Sequence, residues 1–307
     1  MERQPRLHIS TSPTERSRFF GARVASRAAR PWGGRWRKAG IIIDRRDFLA
    51  GAGAALTGAS LLGSGSASAA PRSREQEVDG QPSGRETIAM LLYPECTALD
   101  FVGPQYAFAC LEGARVHHVA ATMDPVITDT GLSLLPTATF EQCPLDLDVL
   151  FVPGGTSGTL AAMRDDRLVQ FLIDRGARAK WVSSVCMGSL LLGTAGLLQG
   201  YRATTHWAAH HLLPKCGAIP SDSRVVVDRN RVTGAGVSAG IDLGLGLVSI
   251  LRDQRYAESV QLMAEYAPEP PFDAGSPKTA PPELVASQRE MFEDFLARAD
   301  AILAARR

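Results

Sequence analysis

The chain has 307 residues, 45% of them hydrophobic, and its 33 Lys and Arg almost balance its 32 Asp and Glu. The balance conceals two unlike parts: residues 1–50 hold 12 basic against 4 acidic side chains, and residues 71–307 hold 21 against 28, a net of −7 with His neutral. An acidic body excludes a nucleic-acid footprint, and five cysteines with no CxxC pair exclude a zinc ribbon and argue against a disulfide framework.

From the amino terminus, Asp44-Arg45-Arg46-Asp47-Phe48-Leu49 looks like a twin-arginine export motif. Residues 50–63 follow as a Gly/Ala-rich apolar run, too short and too rich in glycine to span a bilayer as a stable helix. Ala67-Ser68-Ala69 then has the small-x-small form of a signal peptidase site. This order predicts a basic region and signal peptide over residues 1–70, engagement of the twin-arginine export machinery, and a mature protein in the periplasm or outside the cell. Residues 71–85 are polar without apolar periodicity and read as a linker, and residues 86–307 suit one α/β domain.

Residues 87–93 form a continuous apolar run, the signature of a strand covered on both faces. A turn at 94–97 leads to a helix over 98–112 with Asp100 in its first turn, where an acid complements the helix dipole. A strand over 115–122 and a short β excursion over 125–140 precede another apolar strand, 147–152, which ends in Pro153-Gly154-Gly155-Thr156. Two glycines directly after a buried strand leave bare backbone amides at the carboxyl end of a sheet, where open α/β sheets place their ligands. Residues 166–178 are an amphipathic helix.

Residues 181–185 are a buried strand and 189–198 a small, apolar helix, with Cys186 at the join and Gly188 relieving the crowding of a sharp turn. This is the form of a nucleophile elbow with sulfur in place of hydroxyl. A cysteine facing a helix amino terminus is expected to favour thiolate, whereas the plainer alternative is a cysteine packed as a small hydrophobe. Further on come a short strand at 203–206, a helix at 207–213, and a hairpin of 224–227 with 231–233. Gly234-Ala235-Gly236-Val237-Ser238-Ala239-Gly240 is GxGxxxG, lacks the acid that a dinucleotide fingerprint requires, and reads as tight packing, so no cofactor is implied. Helices over 241–251 and 256–266, a proline-rich crossing and a charged helix over 283–305 complete the chain. Strands alternating with helices predict a mostly parallel sheet between helix layers.

Leu-Asp-Phe-Val-Gly-Pro (99–104), Val-Pro-Gly-Gly-Thr (152–156), Ser-Val-Cys-Met-Gly-Ser (184–189), Leu-Leu-Gln-Gly-Tyr-Arg-Ala-Thr-Thr-His-Trp (197–207), Thr-Gly-Ala-Gly-Val-Ser-Ala-Gly-Ile-Asp (233–242) and Glu-Tyr-Ala-Pro-Glu-Pro-Pro-Phe (265–272) together resemble the PfpI superfamily. That group shares the class I glutamine amidotransferase-like fold, and the resemblance is strongest to its isocyanide hydratases. It implies a flavodoxin-like three-layer sandwich, usually a homodimer, with Cys186 as nucleophile and Asp100 beside its sulfur as the acid. The implied reaction converts a small isocyanide and water to an N-substituted formamide through a thioimidate on Cys186.

The amides of Gly154, Gly155 and Met187 are the expected anion-stabilising donors, with Glu95, Thr156 and His206 as auxiliary candidates and no metal. One departure stands out: the hydratases resemble this chain around the cysteine but carry threonine after it, and Met187 has no side-chain donor. Proteases of the superfamily use a histidine there, a route that Met187 closes. A glyoxalase-like or other small-molecule hydrolase or lyase, and a non-catalytic redox sensor, are the alternatives.

Overall fold

A computed structural model describes residues 84–306. The twin-arginine motif, the apolar run and the cleavage triplet lie outside those residues. In chain order the elements are β1 (Thr87–Leu91), α1 (Ala98–Ala109), β2 (Arg115–Ala120), β3 (Val126–Ile127), β4 (Ser133–Leu134), β5 (Ala138–Thr139), β6 (Val149–Val152), α2 (Ser157–Arg164), α3 (Asp166–Gly176), β7 (Trp181–Val185), α4 (Gly188–Thr194), β8 (Arg202–Ala203), a 3-10 helix (Trp207–Cys216), β9 (Ile219–Pro220), β10 (Val225–Asp228), β11 (Arg231–Gly234), α5 (Ala239–Leu251), α6 (Gln254–Met263) and α7 (Pro282–Ala305).

The continuous apolar runs become the middle of the sheet because a strand covered on both faces has no side to give to water. Every residue of β6 is buried, as is all of β1 and β7 beyond the first residue. The seven-stranded sheet runs β10, β11, β7, β6, β1, β2, β5 from edge to edge. All its pairs are parallel except β10 with β11, the hairpin at one edge. Helices α1, α5 and α6 pack together, and α2, α3, α4 and α7 form a second group, the two layers that cover the sheet. The mostly parallel sheet between helix layers expected from the alternation, and the flavodoxin-like three-layer sandwich implied by the resemblance, are therefore the architecture observed.

The β excursion resolves into the β3–β4 hairpin plus β5, which joins the sheet beside β2. The helix α2, between Thr156 and Asp165, has no counterpart among the elements expected from the sequence, because its eight residues are fewer than the stretch over which helical periodicity can be read. Where residues 207–213 are expected as an ordinary helix, Trp207–Cys216 is a run of 3-10 turns containing Pro214. The parallel register sets Val152 beside Ser184 and Val185 beside Gly234, so the loops after β6, β7 and β11 emerge side by side at one end of the sheet.

One buried ion pair ties the start of β1 to the helix layer. Arg252, at the carboxyl end of α5, gives two hydrogen bonds to Glu86 (2.8 and 2.7 Å) and one to the Glu112 carbonyl, and its side chain is 1% exposed. Removing one partner strands the other charge in a medium that solvates it poorly. Glu86→Ala is expected to lower stability by about 3–5 kcal/mol, read by urea unfolding. A loss below 1 kcal/mol would show that water reaches Arg252.

Candidate active site

Cys186 occupies the turn between β7 and α4 with φ +55°, a left-handed conformation that costs an L-residue about 1–2 kcal/mol. Three hydrogen bonds hold it there. Its amide donates to the Gly234 carbonyl (3.2 Å) and the Ala235 carbonyl (2.7 Å), and its own carbonyl accepts from Thr205 Oγ1 at 2.7 Å. Glycines make the turn possible: a Cβ on Gly188 would stand 2.3 Å from the Val152 carbonyl oxygen, and one on Gly154 would stand 2.4 Å from the Met187 nitrogen. Such contacts allow no side chain at either position.

Asp100 reaches the same point from the first turn of α1 and is fully buried. Its Oδ2 accepts the Gly154 amide at 2.9 Å. The Cys186 thiol faces the same carboxyl group in a contact that falls short of regular hydrogen-bond geometry and leaves Oδ1 otherwise unpartnered. Burial raises the Asp100 pKa to about 7 against the opposing pull of the Gly154 amide and the thiol. At neutral pH the carboxyl group therefore sits near its midpoint. With Oδ2 committed to an amide donor, its proton belongs on Oδ1.

The expectation of a freely ionised sulfur needs correction. Cys186 is only 5% exposed, and burial first, then the Asp100 charge, push its thiol well above the usual range. The Met187 backbone amide pulls the other way, but one amide dipole does not offset the loss of solvent. Thiol and carboxyl are better described as a pair sharing protons than as a standing thiolate beside a standing acid.

The other candidates divide. The Met187 side chain is packed away at 1% exposure, so only its backbone amide serves the sulfur. The Gly154 amide is taken by Asp100 and is not open to an anion, contrary to the sequence reading. Gly155 bridges to Cys96, where a Cβ would lie 2.7 Å from the Glu95 carbonyl oxygen. Thr156 precedes α2, is exposed, and makes no side-chain cap. Glu95 has φ +61°, and its carboxylate accepts from Ser157 Oγ at 2.6 Å, turned toward α2 and solvent. His206 packs against Trp207 and Phe292 and accepts the Ala208 amide through Nδ1, while burial lowers its pKa to about 4. A neutral ring committed to capping the 3-10 helix is a poor general acid at neutral pH. Among the described residues no group of three or more His, Cys, Asp or Glu could hold a metal ion.

Thr205, the residue before His206 in the Thr-Thr-His-Trp stretch, carries no sequence signal of a role at the elbow, since a lone threonine there reads as an ordinary core residue. Thr205 Oγ1 donates to the Cys186 carbonyl, and beside it a separate chain of hydrogen bonds joins Ser184 to Ser189, Ser189 to the Thr204 carbonyl, and the Thr204 amide to Thr233. Thr205→Val would leave the buried Cys186 carbonyl without its donor, and a loss of about 1–3 kcal/mol is expected in denaturant unfolding. An unchanged midpoint would mean that the elbow is held by the Gly234 and Ala235 carbonyls alone.

Comparison with known proteins bears on this geometry. Residues 86–250 match the model of the DJ-1/PfpI family. An isonitrile hydratase of Pseudomonas putida is 51% identical over 203 residues, covering 66% of this chain and 88% of that protein. A solved ThiJ/PfpI family protein from Pseudomonas syringae is 54% identical, with a TM-score of 0.72 over 76% of this chain and 97% of that one. Oxidized DJ-1 of Toxoplasma gondii, 21% identical with a TM-score of 0.54 over 60% of this chain and all of that one, shares the fold. Since the matched segment is more than half of the chain and carries β1, the elbow and α1 with Asp100, the protein belongs to the DJ-1/PfpI family.

Proposed function

We propose that this protein is a cysteine-dependent hydratase that converts a small isocyanide and water to an N-substituted formamide. The observation that carries the reading is the thiol of Cys186, on a strained turn, facing a buried carboxyl group whose Oδ1 is unpartnered, in a chain 51% identical to an isonitrile hydratase over 203 residues. An isocyanide presents one unhindered electrophilic carbon, which suits a nucleophile with little exposure.

In the proposed cycle the sulfur forms a bond to the terminal carbon as that carbon takes the Asp100 proton from Oδ1. The thiol's own proton passes to the carboxylate, so that Cys186 carries S–CH=N–R and Asp100 is again protonated. Water adds across the C=N bond, its hydroxyl to carbon and its proton to nitrogen. The resulting adduct then expels sulfur as the C=O bond forms, and the hydroxyl proton returns to the thiol. The formamide leaves, and atoms balance as isocyanide plus water. The Met187 amide steadies the charge on sulfur as it attacks and departs, which is the part of the site that survives the exchange of threonine for methionine.

Incubation with an aryl isocyanide and chromatography for the formamide tests the reading, with methylglyoxal and lactate followed in parallel. Formamide alone supports it; lactate alone overturns it in favour of a glyoxalase-like enzyme. The redox-sensor alternative has less support, because readily oxidised thiols are exposed and of low pKa, and this one is neither.

We further propose that the chain acts as a homodimer and is exported through the twin-arginine route. The second reading rests on the order of arginine pair, apolar run and cleavage triplet. Light scattering at a monomer mass would overturn the first. Unaltered export after Arg45→Lys with Arg46→Lys would overturn the second.

A further inference from the structure

The β3–β4 hairpin is fastened to the loop that leads into α1. The Glu95 amide donates to the Ile127 carbonyl at 2.8 Å, and the Asp129 amide donates to the Cys96 carbonyl at 3.1 Å. Thr97, at the cap position of α1, makes no side-chain cap. That work passes to another element: the Ala98 amide donates to Asp129 Oδ1 at 3.1 Å. Two carboxyl groups thus attend one helix end, Asp129 exposed at its mouth and Asp100 fully buried in its first turn.

The positive end of a helix favours one negative charge there, and a second nearby is disfavoured by the first. Water reaches the exposed Asp129 and not the buried Asp100. We propose that Asp129 takes this charge and thereby keeps the shared proton on the Asp100–Cys186 pair, acting as a positioning residue through Asp100. Its effect on turnover rests on the hydratase reading above; its effect on the thiol does not.

The direction of the electrostatics agrees, since the charge of Asp129 raises the proton affinity of Asp100, Cys186 and Cys96 alike. Other ionisable groups facing the pair are silent near neutrality. Burial raises the Cys96 thiol to about 11 and keeps the Tyr93 hydroxyl well above its ordinary range. The Glu95 carboxylate is turned onto Ser157. From the loop after β6 comes the Gly154 amide, from the elbow the Met187 amide, and α5 sets the apolar Ile241 against Gly103.

The test is the pH dependence of Cys186 alkylation by iodoacetamide, read by peptide mass on the full chain. Asp129→Asn removes the charge but keeps a carbonyl oxygen to cap the Ala98 amide. The alkylation midpoint is expected to fall by about half a pH unit, with the kcat/KM profile for an aryl isocyanide moving with it. An unchanged midpoint in a variant of wild-type Tm would reduce Asp129 to a cap and overturn the inference. Should that variant not fold, Asp129→Ser, another neutral capping residue, decides by the same criterion. Because alkylation needs no isocyanide, a shifted midpoint without hydratase turnover upholds this inference while the functional reading falls. An unshifted midpoint in an active enzyme does the reverse.

Discussion

Cys186→Ala is expected to abolish formamide production, by at least about 10⁴-fold in kcat, because it removes the sulfur proposed to bond to the isocyanide carbon. Cys186→Ser should fare almost as badly. Its hydroxyl fits the same φ +55° turn, but a buried alcohol is harder to deprotonate than a thiol already raised well above its usual range. The wild type should also yield, on acid quenching during turnover, a mass increase equal to one isocyanide on the peptide that contains Cys186. Equal turnover by the alanine variant, or an adduct on any other cysteine, would remove Cys186 from the reaction. The comparison of serine with alanine separates chemistry from packing, since both variants fill the small buried site.

Asp100→Asn is expected to cut kcat about 10²–10⁴-fold, the usual range for removing a proton donor, and yet to stabilise the fold at alkaline pH. In the unfolded chain Asp100 ionises near its ordinary 3.8, and in the folded protein near 7. Between those values the folded state keeps a proton that the unfolded state has released, so the carboxyl weakens the fold progressively as pH rises through that window. Above it the accumulated cost is at most about 4 kcal/mol, and coupling to Cys186 spreads part of it over the pair. An amide at position 100 has no charge to desolvate and still offers an oxygen to the Gly154 amide. The difference in Tm between Asp100→Asn and wild type should therefore grow from pH 5 to pH 8. A constant difference across that range would show that Asp100 is not raised, and the proton-donor role would go with it. Gain of stability with loss of turnover marks a residue whose strain is kept for its chemistry.

Much of this arrangement was legible in the amino-acid order because it depends on local rules. Short apolar runs bounded by turn residues read as strands covered on both sides, and β1 and β6 obeyed, as did the β-branched and aromatic run of β7. A small residue two places after a cysteine at a strand end announced the elbow, and the Val152 carbonyl 2.3 Å from where a Gly188 Cβ would stand gives the cause. The helix α2 escapes a sequence reading because it is only eight residues long, and Asp129 because a turn acid in the stretch Thr128-Asp129-Thr130-Gly131 signals only a turn.

The protonation of the site was not legible at all. Sequence placed Cys186 at a helix amino terminus and so argued for thiolate. It held nothing about how far the sulfur lay from water, and desolvation outweighs one amide dipole once a group is fully enclosed. Whether the Gly154 amide faces an anion or a neighbouring carboxyl is likewise a matter of three segments meeting, residues 100, 154 and 186 from separate crossovers. The linear order by itself determined the fold and the position of the elbow, because strand burial and a tight turn are properties of consecutive residues, while the resemblance to the PfpI superfamily singled out Cys186 and Asp100 as the proposed nucleophile and acid. Only the tertiary structure decided that both groups are shut away from water and hold their protons more tightly than free ones, because the energy of a charge depends on the distance to water and to other charges, which no single segment contains.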